Sequence, residues 1–371
     1  MRSSISPLRI VIFGLSITSA WGNGHATTYR ALVRALAKLG HRVTFYERQQ
    51  PWYAANRDMP HPDFCAVVLY DSLTTLDRRM GGKVPADLVI VGSYVPEGAR
   101  LSEWVLDRTR ALTAFYDIDT PVTLARLDRR DCSYLNAALV PEFDLYLSFT
   151  GGPILDRLQR SYGARHARAL YCSVDAERYS PLDIRPRFDL GYLGTYSRDR
   201  QPKLEELLNE PARRWSDGLF CVAGAQYPDT LEWPRNMERI GHLPPHAHGR
   251  FYNEQRFTLN VTRDDMVASG YAPSVRLFEA AACGVPVISD EWHGLDSFFT
   301  PSEEILIARS RADVLTFLRE LAPGDARSIG ARARERVLAR HTGEHRALEL
   351  ESYVMELTSR SQRPEQVCHA N

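Results

Sequence analysis

Apolar residues in this chain alternate between short continuous runs and longer stretches in which they recur every three or four positions. The runs Leu8–Phe13, Val43–Tyr46, Cys65–Tyr70, Leu88–Val91, Leu112–Tyr116, Leu145–Phe149 and Ala169–Cys172 predict buried strands. Helical stretches lie between them. One carries Tyr29, Leu32, Leu36 and Leu39 on one face and closes at Gly40; another covers Leu101–Thr109. Strand, loop, helix, strand is the unit of a doubly wound α/β sheet. The alternation stops at a polar, proline-bearing stretch, residues 179–187, and restarts with strands at Leu190–Leu193, Phe220–Ala223, Ile240–Leu243 and Phe257–Val261. A strand at Ile305–Ala308 and helices over Ala312–Leu321, Arg327–His341 and Glu344–Thr358 follow. The pattern predicts two domains, residues 1–182 and 183–343, with residues 359–371 as a disordered tail.

The densest signal is Pro273–Asp290, PSVRLFEAAACGVPVISD. Ser274 is a good N-cap, Cys283-Gly284 a helix end, and Val285–Ile288 a short buried strand. Ala280, Ala281 and Ala282 let the helix approach a neighbouring backbone. Glu279 stands among apolar residues, where a carboxylate is costly without a partner. The helix start offers unpaired N–H groups and a positive dipole end, with Arg276 in the first turn. A phosphate at Ser274, Val275 and Arg276 with a sugar hydroxyl on Glu279 accounts for both features; an ordinary helix–strand unit with a salt-bridged Glu accounts for them equally.

The string SVRLFEAAACGVPVISDEWHGLDSFF resembles the carboxy-terminal signature of GT-B glycosyltransferases of the spore-maturation CgeB-like group, related to the family 1 and family 4 types. The resemblance extends over most of the chain. It implies two Rossmann-like domains facing each other across a cleft, with the acceptor on the first and a nucleotide sugar on the second. It places Glu279 on the ribose and the Ser274 helix start on the diphosphate. It also implies donor contacts from the loop Gly194-Thr195-Tyr196, from a cation among Arg198, Arg200 and Lys203, and from His242 near the base. The helix 344–358 would cross back to the first domain. The donor implied is a UDP- or dTDP-sugar, used without metal or other cofactor. One departure stands out: many retaining family 4 enzymes carry E-x7-E, and the position of the first Glu is Tyr271 here.

The loop after the first strand holds Gly14, Ser16, Trp21, Gly22, Asn23, Gly24 and His25 and, by the same resemblance, faces the acceptor and the sugar. In an open parallel sheet ligands bind beyond the carboxyl ends of the strands. Asp117 and Asp119 follow another strand of that sheet. His25, with Asp117 or Asp119 fixing its tautomer, has the chemistry of a general base, as in inverting family 1 enzymes. His25 as a helix cap or sugar ligand is the competing role.

Composition narrows the rest. The 371 residues are 44% hydrophobic and 25% charged, with 46 basic and 46 acidic side chains, so no global charge favours nucleic acid. Six single cysteines without a CxxC fit reduced thiols and a cytoplasmic protein. The apolar start is broken by Arg9 and runs into a glycine-rich loop, so it reads as a strand and not an export signal. No segment is long enough to span a membrane. The helix with Arg332, Arg334, Arg336 and Arg340 offers either a solvated face or contact with an anionic membrane surface. His242, His246 and His248 lack a nearby Cys or carboxylate to complete a metal site. A nucleotide-sugar epimerase or hydrolase, and a sugar-nucleotide binding protein without turnover, are the other functions compatible with these residues.

Overall fold

The computed structural model describes residues 5–22 and 24–361. A seven-stranded parallel sheet comes first: β1 (Arg9–Gly14), β2 (Arg42–Arg48), β3 (Ala66–Tyr70), β4 (Leu88–Gly92), β5 (Leu112–Asp117), β6 (Leu145–Ser148) and β7 (Ala167–Ala169), ordered β3-β2-β1-β4-β5-β6-β7. A six-stranded parallel sheet follows: β8 (Phe188–Leu193), β9 (Phe220–Ala223), β10 (Met237–Ile240), β11 (Gln255–Asn260), β12 (Val287–Ser289) and β13 (Leu306–Ile307), ordered β10-β9-β8-β11-β12-β13. The strands β1, β4, β5, β6 and β9 are buried on both faces along nearly their whole length, which is why the sequence shows them as nearly unbroken apolar runs, whereas β2 alternates buried with half-buried residues.

Sequence and structure part at the sheet edges. β10 lies at Met237–Ile240 and not at residues 240–243. It is an edge strand with Glu238 and Arg239 at its centre, so no apolar run marks it. β7 ends at Ala169, and the buried Leu170 and Cys172 beyond it belong to the passage between domains.

The chain crosses between the two sheets twice, through residues 170–187 and again near His341, and Val174 and Thr342 form a parallel bridge between the two crossings. The last helix, Gly343–Ser361, packs on the first, His25–Lys38, and lies so close that a Cβ at Gly343 would overlap the Ala31 carbonyl. His41 Nδ1 accepts from the Leu8 N–H at 3.0 Å, and its Nε2 lies 2.8 Å from Glu351, with both side chains buried. Tyr353 donates to the Ala169 carbonyl and Arg168 pairs with Glu356. The helix runs through 359–361, which the sequence pattern assigns to a disordered tail; the rest of that tail lies outside the described residues.

The arginine-rich helix is Pro323–Arg340. Arg332 donates to the Glu303 carbonyl, Arg334 to the Ala282 carbonyl, and Arg336 pairs with Glu304 at 3.1 Å. Three of its arginines are therefore tied to neighbouring segments and not arrayed as one outward face. No helix among the described residues is long and apolar enough to cross a membrane.

Candidate active site

The carboxyl ends of both sheets face one cleft, which contains two adjoining cavities of about 170 and 230 Å3. Their shared wall is Gly24 from the first domain and Ser274, Val275 and Arg276 from the second.

The helix Val275–Ala282 supplies that wall. Ser274 stands at its N-cap, but its hydroxyl makes no capping bond. It donates instead to Asn260 Oδ1 at 2.8 Å. Of the first-turn N–H groups, Leu277 bonds the Ser274 carbonyl at 3.1 Å, and those of Val275 and Arg276 are left for a ligand, as an anion site needs. The same Asn260 oxygen accepts from Arg276 Nη1 at 2.7 Å. Arg276 also donates to the Leu193 carbonyl and lies 4.6 Å over the Tyr192 ring. It is a buried, fixed cation lining both cavities. Asn260 was hidden in the sequence inside an apolar strand; a polar residue ending such a run was its one signal.

Glu279 is buried in the wall of the smaller cavity and has no ion-pair partner closer than His248 Nδ1, at 4.0 Å. Tyr252 donates to its Oε2 at 3.0 Å. His248 is engaged with Tyr179, 3.2 Å away, and with the Leu243 carbonyl at 3.1 Å. Gly194, Thr195 and His242 line this cavity, as do Gly22 and Gly24. Burial, followed by the neighbouring His248, lowers the His242 pKa. His242, His246 and His248 do not converge, and among the described residues no group of three or more His, Cys, Asp or Glu is placed to hold a metal ion.

The larger cavity is lined by His25, Asp119, Arg200, Arg263 and Arg276. His25 Nε2 lies 3.9 Å from Asp119 Oδ2, and Tyr94 donates to that same oxygen at 3.0 Å. Burial lowers the His25 pKa and Asp119 opposes it. Of the two candidate partners, the structure brings Asp119 to His25 and not Asp117. Asp117 ends β5 pointing into the protein, fully buried, and accepts from Tyr146 at 2.6 Å, Thr123 at 2.8 Å and the Asp119 N–H at 3.3 Å. Burial pushes its pKa up to about 6. The reason is register: Asp117 still belongs to the strand, whereas Asp119 sits at the N-cap of the next helix, beyond the sheet edge.

Arg200 donates to the Thr195 carbonyl at 2.6 Å and reaches the larger cavity. Lys203 and Arg198 are exposed and line neither cavity, although Lys203 lies close enough to act electrostatically on Asp290. Tyr196 packs edge-on to Tyr227 instead of facing the cleft. In the first loop, Gly14 is a packing glycine, since a Cβ there would overlap Phe45. Ser16 is buried and accepts from the Ser19 N–H. Trp21 lines a separate recess with Arg57, Asp58 and His242. Asn23 lies outside the described residues.

Tyr271, at the position of the missing first Glu, does not enter either cavity. It adopts φ 48°, and its ring fills the space beside Gly152 of the first domain and Gly294 of the second, both also at positive φ. Its carbonyl accepts from the Gly151 N–H at 3.0 Å, making it a wedge between domains.

Residues 200–352 match a family model described as "Glycosyl transferase-like". No curated protein matches the sequence. Among solved structures, sucrose-phosphate synthase from Thermosynechococcus elongatus superposes with a TM-score of 0.69 at 15% identity, covering 95% of this chain and 100% of that one. An α-glucosyltransferase solved with UDP and a DNA 13-mer gives 0.69 at 13% identity, covering 94% and 100%. The Anabaena protein HepE, solved with UDP and glucose, gives 0.67 at 11% identity, covering 94% and 100%. The fold is GT-B: two Rossmann-like domains across a cleft.

Proposed function

We propose that the protein is a glycosyltransferase that moves a sugar from a nucleoside diphosphate sugar to a hydroxyl acceptor. The carrying observation is that a buried carboxylate, Glu279, with no ion-pair partner nearer than His248 at 4.0 Å, and an open helix start with a fixed Arg276 line one cavity. A ribose diol satisfies the first and a diphosphate the second. The family-model match over residues 200–352 supports this reading, and the UDP bound by HepE and by the α-glucosyltransferase supports a uridine donor. The resemblance of residues 274–299 to the CgeB-like signature supports that subgroup, and the five free cysteines among the described residues suit the cytoplasm.

The acceptor oxygen attacks the anomeric carbon, and the bond from that carbon to the phosphate oxygen breaks. The nucleoside diphosphate leaves with the electron pair. Charge developing on it is met by the helix start, Arg276 and Arg200. The acceptor proton passes to His25, whose burial keeps the imidazole neutral and able to accept it. No metal is required in this scheme, because the protein's own cations supply the leaving-group stabilisation.

A panel of nucleotide sugars screened by thermal shift, followed by product analysis on the donor that raises the melting temperature, tests the proposal. Sugar transferred to an added hydroxyl compound supports it. Epimerised or hydrolysed donor, or binding without turnover on any acceptor, overturns it.

A further inference from the structure

Arg263 belongs to the second domain, yet its guanidinium reaches a carboxylate of the first. It follows β11 and stands at the N-cap of the helix Asp264–Ser269, which packs beside the first-domain helix Thr120–Arg129. Its Nη1 lies 3.9 Å from Asp119 Oδ2 and its Nε 3.4 Å from Asp199 Oδ2. Asp119 Oδ2 is also the oxygen 3.9 Å from His25 Nε2 and the acceptor of the Tyr94 hydroxyl. One carboxylate oxygen therefore faces an imidazole from its own domain and a guanidinium from the other.

We propose that Arg263 is a positioning residue. Acting through Asp119 from across the cleft, its permanent positive charge draws on that carboxylate, offsets it and keeps the imidazole in its neutral form. The inference rests on the reading of His25 as the proton acceptor in glycosyl transfer. The charged and titratable groups around His25 are Asp119 and Tyr94 from the first domain, Arg263 from the second, and Arg200 and Arg276 elsewhere in the cavity wall, with Cys172 on the floor and Asp117 behind Asp119. Asp119 favours the imidazolium and the arginines disfavour it. Arg263 is the cation that shares Asp119 with His25 and directly cancels its influence.

A substrate that carries negative charge into this cavity draws on the same guanidinium. Once Arg263 turns to a phosphate, Asp119 is freed to stabilise the imidazolium that forms during transfer. The arrangement thus couples arrival of the donor on one domain to readiness of the base on the other.

The test is the titration of the His25 ring by NMR in the full-length protein without substrate, its signal assigned by loss in His25→Gln. Arg263→Gln is expected to raise the His25 titration midpoint by roughly 0.5–1 pH unit, and Arg263→Lys, which keeps the charge, to restore it. The acid limb of the pH profile for transfer moves upward by the same amount in Arg263→Gln. An unchanged midpoint in Arg263→Gln, or one that Arg263→Lys does not restore, overturns the role of Arg263 whatever the activity. A shifted midpoint in a protein that transfers no sugar overturns the transferase reading and leaves the charge coupling standing.

Discussion

Tyr252 donates a hydrogen bond of 3.0 Å to Glu279 Oε2, and Tyr179 lies close enough to hydrogen-bond the same carboxylate in the cavity wall. These hydroxyls explain how the carboxylate survives burial with no ion-pair partner nearer than His248, and its place in the cavity wall leaves it within reach of a ligand.

Replacing Glu279 with Ala is expected to weaken donor binding by roughly 1.5–3 kcal/mol, the worth of a hydrogen bond to a charged group. Calorimetry with the donor identified by thermal shift measures it. Affinity equal to wild type takes Glu279 out of the site.

His25→Ala is expected to slow transfer by around 10²–10⁴-fold at unchanged donor affinity, the range of general acid–base catalysis. Single-turnover measurements separate the two quantities. A variant that transfers at near wild-type rate eliminates His25 as the base.

Asp117 makes stability depend on pH. Its folded pKa of about 6 lies above the ordinary value of 3.8, so the folded chain holds this proton more tightly than the unfolded chain. Its contribution is fully present below pH 4 and is lost as pH rises through 6, by about 3 kcal/mol in all. Asp117→Asn keeps the hydrogen-bonding shape without the charge. Urea denaturation at pH 4 and pH 8 is expected to show that the variant loses less stability between those values than the wild type. Parallel losses in both proteins count against it.

Turnover is expected to persist in EDTA, because in the proposed scheme Arg200, Arg276 and the helix start, which line the cavities, supply charge to the leaving phosphates. Activity abolished by the chelator and restored by one divalent ion contradicts this.

Gly152→Ala is expected to destabilise the protein by about 1–3 kcal/mol, since the new Cβ meets the Tyr271 ring at a residue whose φ of 63° and ψ of −146° suit glycine alone. Thermal melting reads the effect, and Tyr271→Gly in the same chain recovers part of it by removing the ring.

The central strands and the helix start at Ser274 were legible in the sequence because burial on both faces leaves continuous apolar runs and because a helix N-terminus has its own residue preferences. The edge strand β10 was not, since an edge tolerates Glu238 and Arg239. The choice between Asp117 and Asp119 turned on a two-residue difference in where β5 stops, which no local pattern records. Arg263, Asn260 and Tyr252 were invisible as site residues for another reason: each acquires its role from a partner far along the chain, in Asp119, in Ser274 and Arg276, and in Glu279. Tyr271 was noticed only as a departure from a motif, and its work as a wedge needed the two glycines on either side of it.

The helix Gly343–Ser361 closes the outer layer of the first domain, burying Leu350, Val354 and Leu357 beside the helix His25–Lys38. On the ribosome those partners emerge far apart, with the second domain between them. Translation at about 5–20 residues per second separates them by on the order of 15–60 s, during which the entire second domain is made. The apolar face of the helix His25–Lys38 waits through that interval uncovered and open to aggregation, and a premature stop after residue 342 harms the domain made before it and not the one it interrupts.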